Sequence, residues 1–257
     1  MEKEYLTRET YNKLNYGYYI VSWEILKEYD LKPSEIEVFM LMNYLADKQV
    51  KIFAPKFARL FGVDLFKAKM ILKDEKLVML TLADLAGYMN CSKKTISRAW
   101  GNLENLGLIV RDNEKYKNIA AFKLKKLKKS GIRIPVIWYQ EEVSFGSKLI
   151  AGLILSYLGL DRKDKDLDGI LKVKLRSHQE LGSRLGLNRK TVLAALKDEV
   201  PKILNVEVET INERKANGRF LSNNYFKIYF GDNGSIFPNC FRKIKFITGT
   251  VNKGVYK

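Results

Sequence analysis

The 257-residue sequence predicts an α+β fold in which one unit, two short helices followed by a β-hairpin, occurs twice in tandem. Three observations carry that expectation. The chain matches itself at a constant offset of 96 residues, TLADLAGYMNCSKKTISRAW at 81–100 against SHQELGSRLGLNRKTVLAAL at 177–196. Helix-capping residues stand at the same two places in both copies. Each copy is preceded by a short apolar run and followed by two more that are separated by a turn, the pattern of a hairpin. A hydrophobic fraction of 46% with 12% aromatic residues is enough for a packed core and excludes a disordered basic chain.

From the N-terminus, Tyr16, Tyr18, Tyr19 and Trp23 alternate in a way that predicts core or a dimer seam rather than base stacking. Pro33 opens a predicted helix over 33–45, with Pro in its first turn and the apolar spacing of a buried element. Residues 55–75 have the spacing of a degenerate helix pair, with Ala58, Gly62 and Asp64 at the right positions. Its second helix starts at Leu65 and Phe66, which suit a structural or protein-contact role better than a polar groove. An apolar strand is expected over 77–80.

The first copy follows. Thr81 is a helix N-cap, and Asp84 stands three residues on, where an acid favours the helix dipole. Leu85 faces inward, Ala86 is small enough for a crossing helix, Met89 closes the helix and Asn90 takes the turn. Ser92 caps a second helix whose buried face is Ile96, Ala99 and Trp100. Gly107 ends it, a strand runs on from 108, residues 112–118 turn, and 119–124 return.

In the second half, 146–158 predicts the counterpart of the 33–45 helix. The loop 161–168 is acidic with Lys163 and Lys165 interleaved. It has no closing Glu for a calcium loop and is read as solvated. A strand over 170–175 leads to Ser177 and Glu180, inward Leu181, small Gly182, closing Leu185 and turn-forming Gly186. Asn188 caps the second helix, whose buried face is Val192, Ala195 and Leu196. Alternation over 203–211 and a return over 220–230 predict a longer hairpin with Lys215, Asn217 and Arg219 at its tip. The expected domains are 1–130, with extra N-terminal helices, and 131–257, with the long hairpin and a basic tail.

The net charge of +17 is concentrated. Residues 111–133 hold nine basic and two acidic side chains, 172–190 six and one, and 231–257 five and one, whereas 1–110 is nearly balanced and 134–171 is net acidic. A concentrated excess points to a polyanion partner.

Several chemistries are excluded. His178 is the only histidine, so His-rich zinc sites and paired-His nicking sites are absent. Cys91 and Cys240 make no disulfide framework or metal set, as expected of a reducing compartment. Neither a Gly-rich phosphate loop nor a dinucleotide turn is present, so no nucleotide and no other cofactor or metal is expected, and no catalytic residue is assigned. The chain begins without a signal peptide and has no apolar run of membrane-spanning length, so a cytoplasmic, non-membrane protein is expected.

A second helix that presents basic and hydroxyl side chains in its first turn is the part of a helix-turn-helix that enters a major groove, and the hairpin is its wing. LADLAGYMNCSKKTISRA at 82–99 with LENLGLIV at 103–110 resembles the N-terminal winged helix of plasmid and phage replication initiators of Gram-positive bacteria. The resemblance covers roughly 20–127, and the helix pair at 55–75 departs from its simplest pattern. It implies two winged helices acting on repeats at a replication origin; the same pattern is similar to many transcriptional regulators. The expected partner is therefore double-stranded DNA, and a homodimer is compatible with the sequence. Candidate base contacts are Lys93, Lys94, Thr95, Ser97 and Arg98, with Arg189, Lys190 and Thr191. Candidate phosphate contacts are Ser92, Lys115, Lys117, Lys125, Lys126, Lys128, Lys129, Asn188, Lys215 and Arg219. The rival readings are a transcriptional regulator, a protein-binding use of the same helices, and a DNA-cleaving enzyme with a Tyr nucleophile, for which no supporting Arg/His constellation exists.

Overall fold

The structure, a computed structural model, describes residues 4–5, 7, 17–48, 50–89, 91–111, 121–128, 130–158, 172–175, 177–214, 218, 220–232 and 234–238. The chain is mixed α+β and divides into two compact units, one made of 19–131 and the other of 132–243 together with the N-terminal segment 1–18. The expectation had placed that N-terminal segment in the first half. Among the described residues no helix is long and apolar enough to cross a membrane.

The chain starts with β1 (Glu4–Tyr5) and β2 (Tyr18–Ser22). Ser22 caps α1 (Trp23–Glu28), its hydroxyl accepting from the Glu24 N–H at 3.2 Å. Tyr19 is buried, as expected of core, whereas Tyr18 is exposed, Trp23 is half-buried and Tyr16 lies outside the described residues. The helix α2 (Pro33–Lys48) opens at its proline and carries Phe39, Leu41, Met42 and Leu45 into the core.

The pair expected over 55–75 is α3 (Val50–Phe61) and α4 (Leu65–Asp74), so its first helix begins earlier and takes Pro55 inside it. Gly62, at φ 61°, makes the turn that only glycine enters freely, and Asp64 Oδ1 caps α4 by accepting the Lys67 N–H at 2.8 Å. Leu65, Phe66 and Met70 of α4 are exposed, Phe66 by 72%.

The elements β3 (Leu77–Met79), α5 (Leu82–Tyr88), α6 (Lys93–Asn105), β4 (Ile109–Arg111) and β5 (Ala121–Leu124) follow. The three strands form an antiparallel sheet in the order β3-β5-β4, with Phe122 of the central strand opposite Val78 on one side and Arg111 on the other. Ile96, Ala99, Trp100 and Leu103 are the buried face of α6, and the Trp100 ring lies 4.3 Å from that of Phe122.

The second unit contains β6 (Gly131–Pro135), a 3₁₀ turn (Val136–Gln140), α7 (Phe145–Leu158), β7 (Lys172–Leu175), α8 (His178–Leu185) and α9 (Arg189–Ala194). A π-helical turn (Ala195–Glu199) runs into α10 (Val200–Ile203), and β8 (Val206–Arg214) and β9 (Phe220–Phe230) complete it. The strand β9 is central, with β8 on one edge and β7 and β1 in succession on the other, all antiparallel. The order β7-β9-β8 therefore repeats β3-β5-β4.

The sequence predicts a strand from Ile203, but Ile203 ends a helix and the strand starts at Val206. Pro201 lies directly after the π-helical turn, and Val200 and Ile203 are buried. The Ile203 carbonyl accepts from the indole N–H of the fully buried Trp138 at 2.9 Å, and Trp138 meets Phe237 edge-on at 5.6 Å.

Candidate nucleic-acid interface

The two helix pairs, α5 with α6 and α8 with α9, are built by the same local chemistry. Thr81 Oγ1 accepts the Asp84 N–H at 3.1 Å while Asp84 Oδ2 accepts the Thr81 N–H at 2.8 Å, a closed capping box. Ser177 Oγ accepts the Glu180 N–H at 3.1 Å in the second copy. The turn is closed by an equivalent backbone bond in each, from Cys91 N–H to the Ala86 carbonyl at 3.1 Å and from Leu187 N–H to the Gly182 carbonyl at 2.8 Å. Gly186 enters the left-handed region at φ 68°, as its place in the turn requires. Burial, aided by the Glu37 charge, pushes the Cys91 thiol up, which keeps it protonated near neutral pH.

Ser92 and Asn188 are the N-caps of α6 and α9. Ser92 Oγ accepts the Thr95 N–H at 3.2 Å and shares a hydrogen bond of 2.9 Å with the Thr95 hydroxyl. Asn188 Oδ1 accepts the Thr191 N–H at 2.8 Å and its hydroxyl at 3.0 Å. Both threonines thus spend a hydroxyl hydrogen bond on the cap, and the free donors of the first turns are Lys93 and Lys94 in one unit and Arg189 and Lys190 in the other. All four are exposed, as are Ser97 and Arg98. No acidic residue stands in the first turn of α6 or α9, whereas Asp84 and Glu180 stand in the first turns of the partner helices. Cations at the positive end of a helix dipole oppose folding by a few tenths of a kcal/mol each. Among the described residues none of Lys93, Lys94, Arg98, Arg189 and Lys190 is ion-paired with a carboxylate. His178 is held below the usual histidine range by burial and by the charge of Arg189, so it adds no cation at neutral pH.

Of the other candidates, Lys125 donates to the Tyr29 hydroxyl, Lys126 is exposed, and exposed Lys128 uses its backbone N–H on Glu24 Oε2 at 3.2 Å. Lys115, Lys117, Lys129, Lys215 and Arg219 lie outside the described residues, as do Asn90 and the acidic loop 161–168. Arg111, not singled out from sequence, is exposed at the end of β4 with its guanidinium 4.9 Å from the Phe122 ring centre. Leu193 and Ala194, also not singled out, are exposed on α9 where Ser97 and Arg98 stand on α6. The 96-residue offset was the signal that pairs them. Among the described residues no group of three or more His, Cys, Asp or Glu is placed to hold a metal ion.

Compared with protein-family models, curated proteins and solved structures, the chain finds no match.

Proposed function

We propose that the chain is a cytosolic, sequence-specific double-stranded DNA-binding protein with two tandem winged helices, acting as a replication initiator at origin repeats. The observation that carries this reading is the pair of capped, exposed helix starts, Ser92-Lys93-Lys94-Thr95 and Asn188-Arg189-Lys190-Thr191, each with cations and no acid in its first turn. Such an arrangement opposes the helix dipole and is suited to an anion, the phosphate backbone at the mouth of a major groove. The matching strand orders β3-β5-β4 and β7-β9-β8 put a hairpin after each helix pair, as a wing requires. In this reading α6 and α9 enter grooves, Arg98 reads a base edge, and Ser92, Asn188, Lys126, Lys128 and the hairpin lysines meet phosphates.

The test is to titrate purified protein onto random genomic fragments at 100 and 300 mM salt and to sequence what is retained. One recurring motif supports specific recognition, and its position at an origin or a promoter decides between initiator and transcriptional regulator. Six to ten phosphate contacts lower affinity on the order of 10³ to 10⁵ between about 50 and 200 mM salt. Retention of all sequences at low salt and none at high salt would overturn specific recognition, and salt-insensitive association with protein alone would overturn DNA binding.

A further inference from the structure

The two helices offered to the grooves do not present the same chemistry. On α6 the residues one turn beyond Lys93 and Lys94 are Ser97 and Arg98, both exposed and both hydrogen-bonding. On α9 the residues one turn beyond Arg189 and Lys190 are Leu193 and Ala194, and Leu193 is 39% exposed. Positions four apart lie on one helix face, so Leu193 and Ala194 continue the stripe that the two cations begin. Exposed Lys197 and Asp198 follow one turn on, in the π-helical turn. The remaining hydroxyl of the first turn, that of Thr191, is committed to Asn188 at 3.0 Å. The face therefore begins with two cations and has an apolar centre, with no hydrogen-bonding side chain on it between Arg189 and Lys190 at one end and Lys197 and Asp198 at the other. Alanine at 194 leaves the neighbouring leucine free of a long side chain.

Resting on the DNA-binding reading above, we infer that Leu193, with Ala194 beside it, is a specificity-determining residue that packs on the C5-methyl groups of thymine, so that the second helix reads A·T pairs by shape while the first reads its half-site by hydrogen bonds. The thymine methyl is the apolar group of the major-groove edge, and an alanine or other apolar side chain is its complement. The cations bring the phosphates to the helix start, and closing the groove removes water from Leu193 and the methyl together.

The full-length protein is used to select duplexes from a random pool, and each thymine of the recovered sequence is replaced in turn by uracil, which keeps every base-pair hydrogen bond and removes only the methyl. One cluster of thymines is expected at which the replacement lowers affinity about fourfold per methyl, the transfer value of one buried carbon. Leu193→Ser, at an exposed position, is expected to erase that sensitivity, and Ser97→Ala to retain it. Specific binding that tolerates uracil everywhere overturns the inference and leaves the DNA-binding reading standing, as does a uracil effect undiminished in Leu193→Ser. Failure to retain any duplex overturns both.

Discussion

The helix α6 is one continuous element, whereas its counterpart is α9 interrupted by a π turn before α10. Buried residues pair at the sequence offset of 96 as far as Trp100 and Leu196, but the next buried pair is Leu103 with Val200, and the following strands start at Ile109 and Val206, both one residue further apart. The second unit has taken in one extra residue, and a π turn, which widens the helix by one residue, is where a helix absorbs it without turning its buried face outward. The N-terminal half of each helix stays in register while the half that joins the hairpin is shifted.

The same displacement appears in how each helix is tied to the core. Asn102 of α6 donates to Glu35 Oε2, at the start of α2, at 3.1 Å, and that carboxylate also accepts the Lys32 N–H at 2.7 Å. In the second unit the carboxylate is on the other partner. Glu199, which replaces Asn102 once the extra residue is counted, accepts from the Ser144 N–H at 2.9 Å, the Ser144 hydroxyl at 2.6 Å and the Ser147 hydroxyl at 2.5 Å, at the start of α7. Both units place one carboxylate at a helix N-terminus, where the dipole favours it, and reach it from opposite sides.

The largest expected effect separates the two helices by function. Replacing Arg98 with alanine is expected to cost about 1–3 kcal/mol on the cognate duplex and much less on scrambled DNA, by titration at fixed salt. Equal losses on both would remove Arg98 as a base reader. Lys126→Ala is expected to weaken all sequences alike and to lower the salt slope by about one.

Next comes the crossing of each helix pair. A Cβ on Gly182 would sit 2.3 Å from the Leu187 carbonyl oxygen, so Gly182→Ala is expected to destabilise by about 1–3 kcal/mol in urea unfolding. Alanine already occupies the equivalent position 86, and Ala86→Gly is expected to cost about 1 kcal/mol through helix propensity alone. A neutral or stabilising Gly182→Ala would show that the turn at Leu187 has room for a Cβ.

A smaller effect tests the tethers. Burial pushes the Glu199 carboxyl up, but the hydrogen bonds from Ser144 and Ser147 and the Lys202 charge outweigh it and hold it below the usual carboxylate range. A depressed folded value means that its contribution is present above the unfolded value of about 4.3 and is lost as pH falls through the folded one. Glu199→Gln is expected to cost about 0.5–1.5 kcal/mol at pH 7 and to flatten the acid limb of the stability profile. An unchanged limb would show that the serine bonds do not distinguish the ionised form.

The smallest belongs to His178, whose proton affinity is lowered first by burial and then by Arg189. The advantage of its neutral form is full above about 6.5 and is lost as pH falls through the lower folded value. Arg189→Ala is expected to raise the His178 titration midpoint, followed by NMR. A midpoint that does not move would leave burial as the sole cause.

Much of this architecture was legible in the chain because its causes are local. The caps Thr81, Ser92, Ser177 and Asn188, the turn at Gly186 and the buried stripes of α6 and α9 each depend on residues within one or two helical turns, and the sequence determines them by spacing alone. The cationic starts of the second helices were legible for the same reason. That Thr95 and Thr191 turn their hydroxyls to the caps, and that Leu193 and Ala194 are exposed, needed atomic positions. The tertiary structure decided what depends on partners far away in sequence. It put Glu4–Tyr5 beside Tyr229 and Phe230, turned Ile203 from a strand into a helix end under Trp138, and resolved one extra residue as a π turn held by Glu199. The physical reason is range: a cap or a turn is set by hydrogen bonds a few residues long, while the end of a helix and the edge of a sheet are set by which distant side chains they can bury.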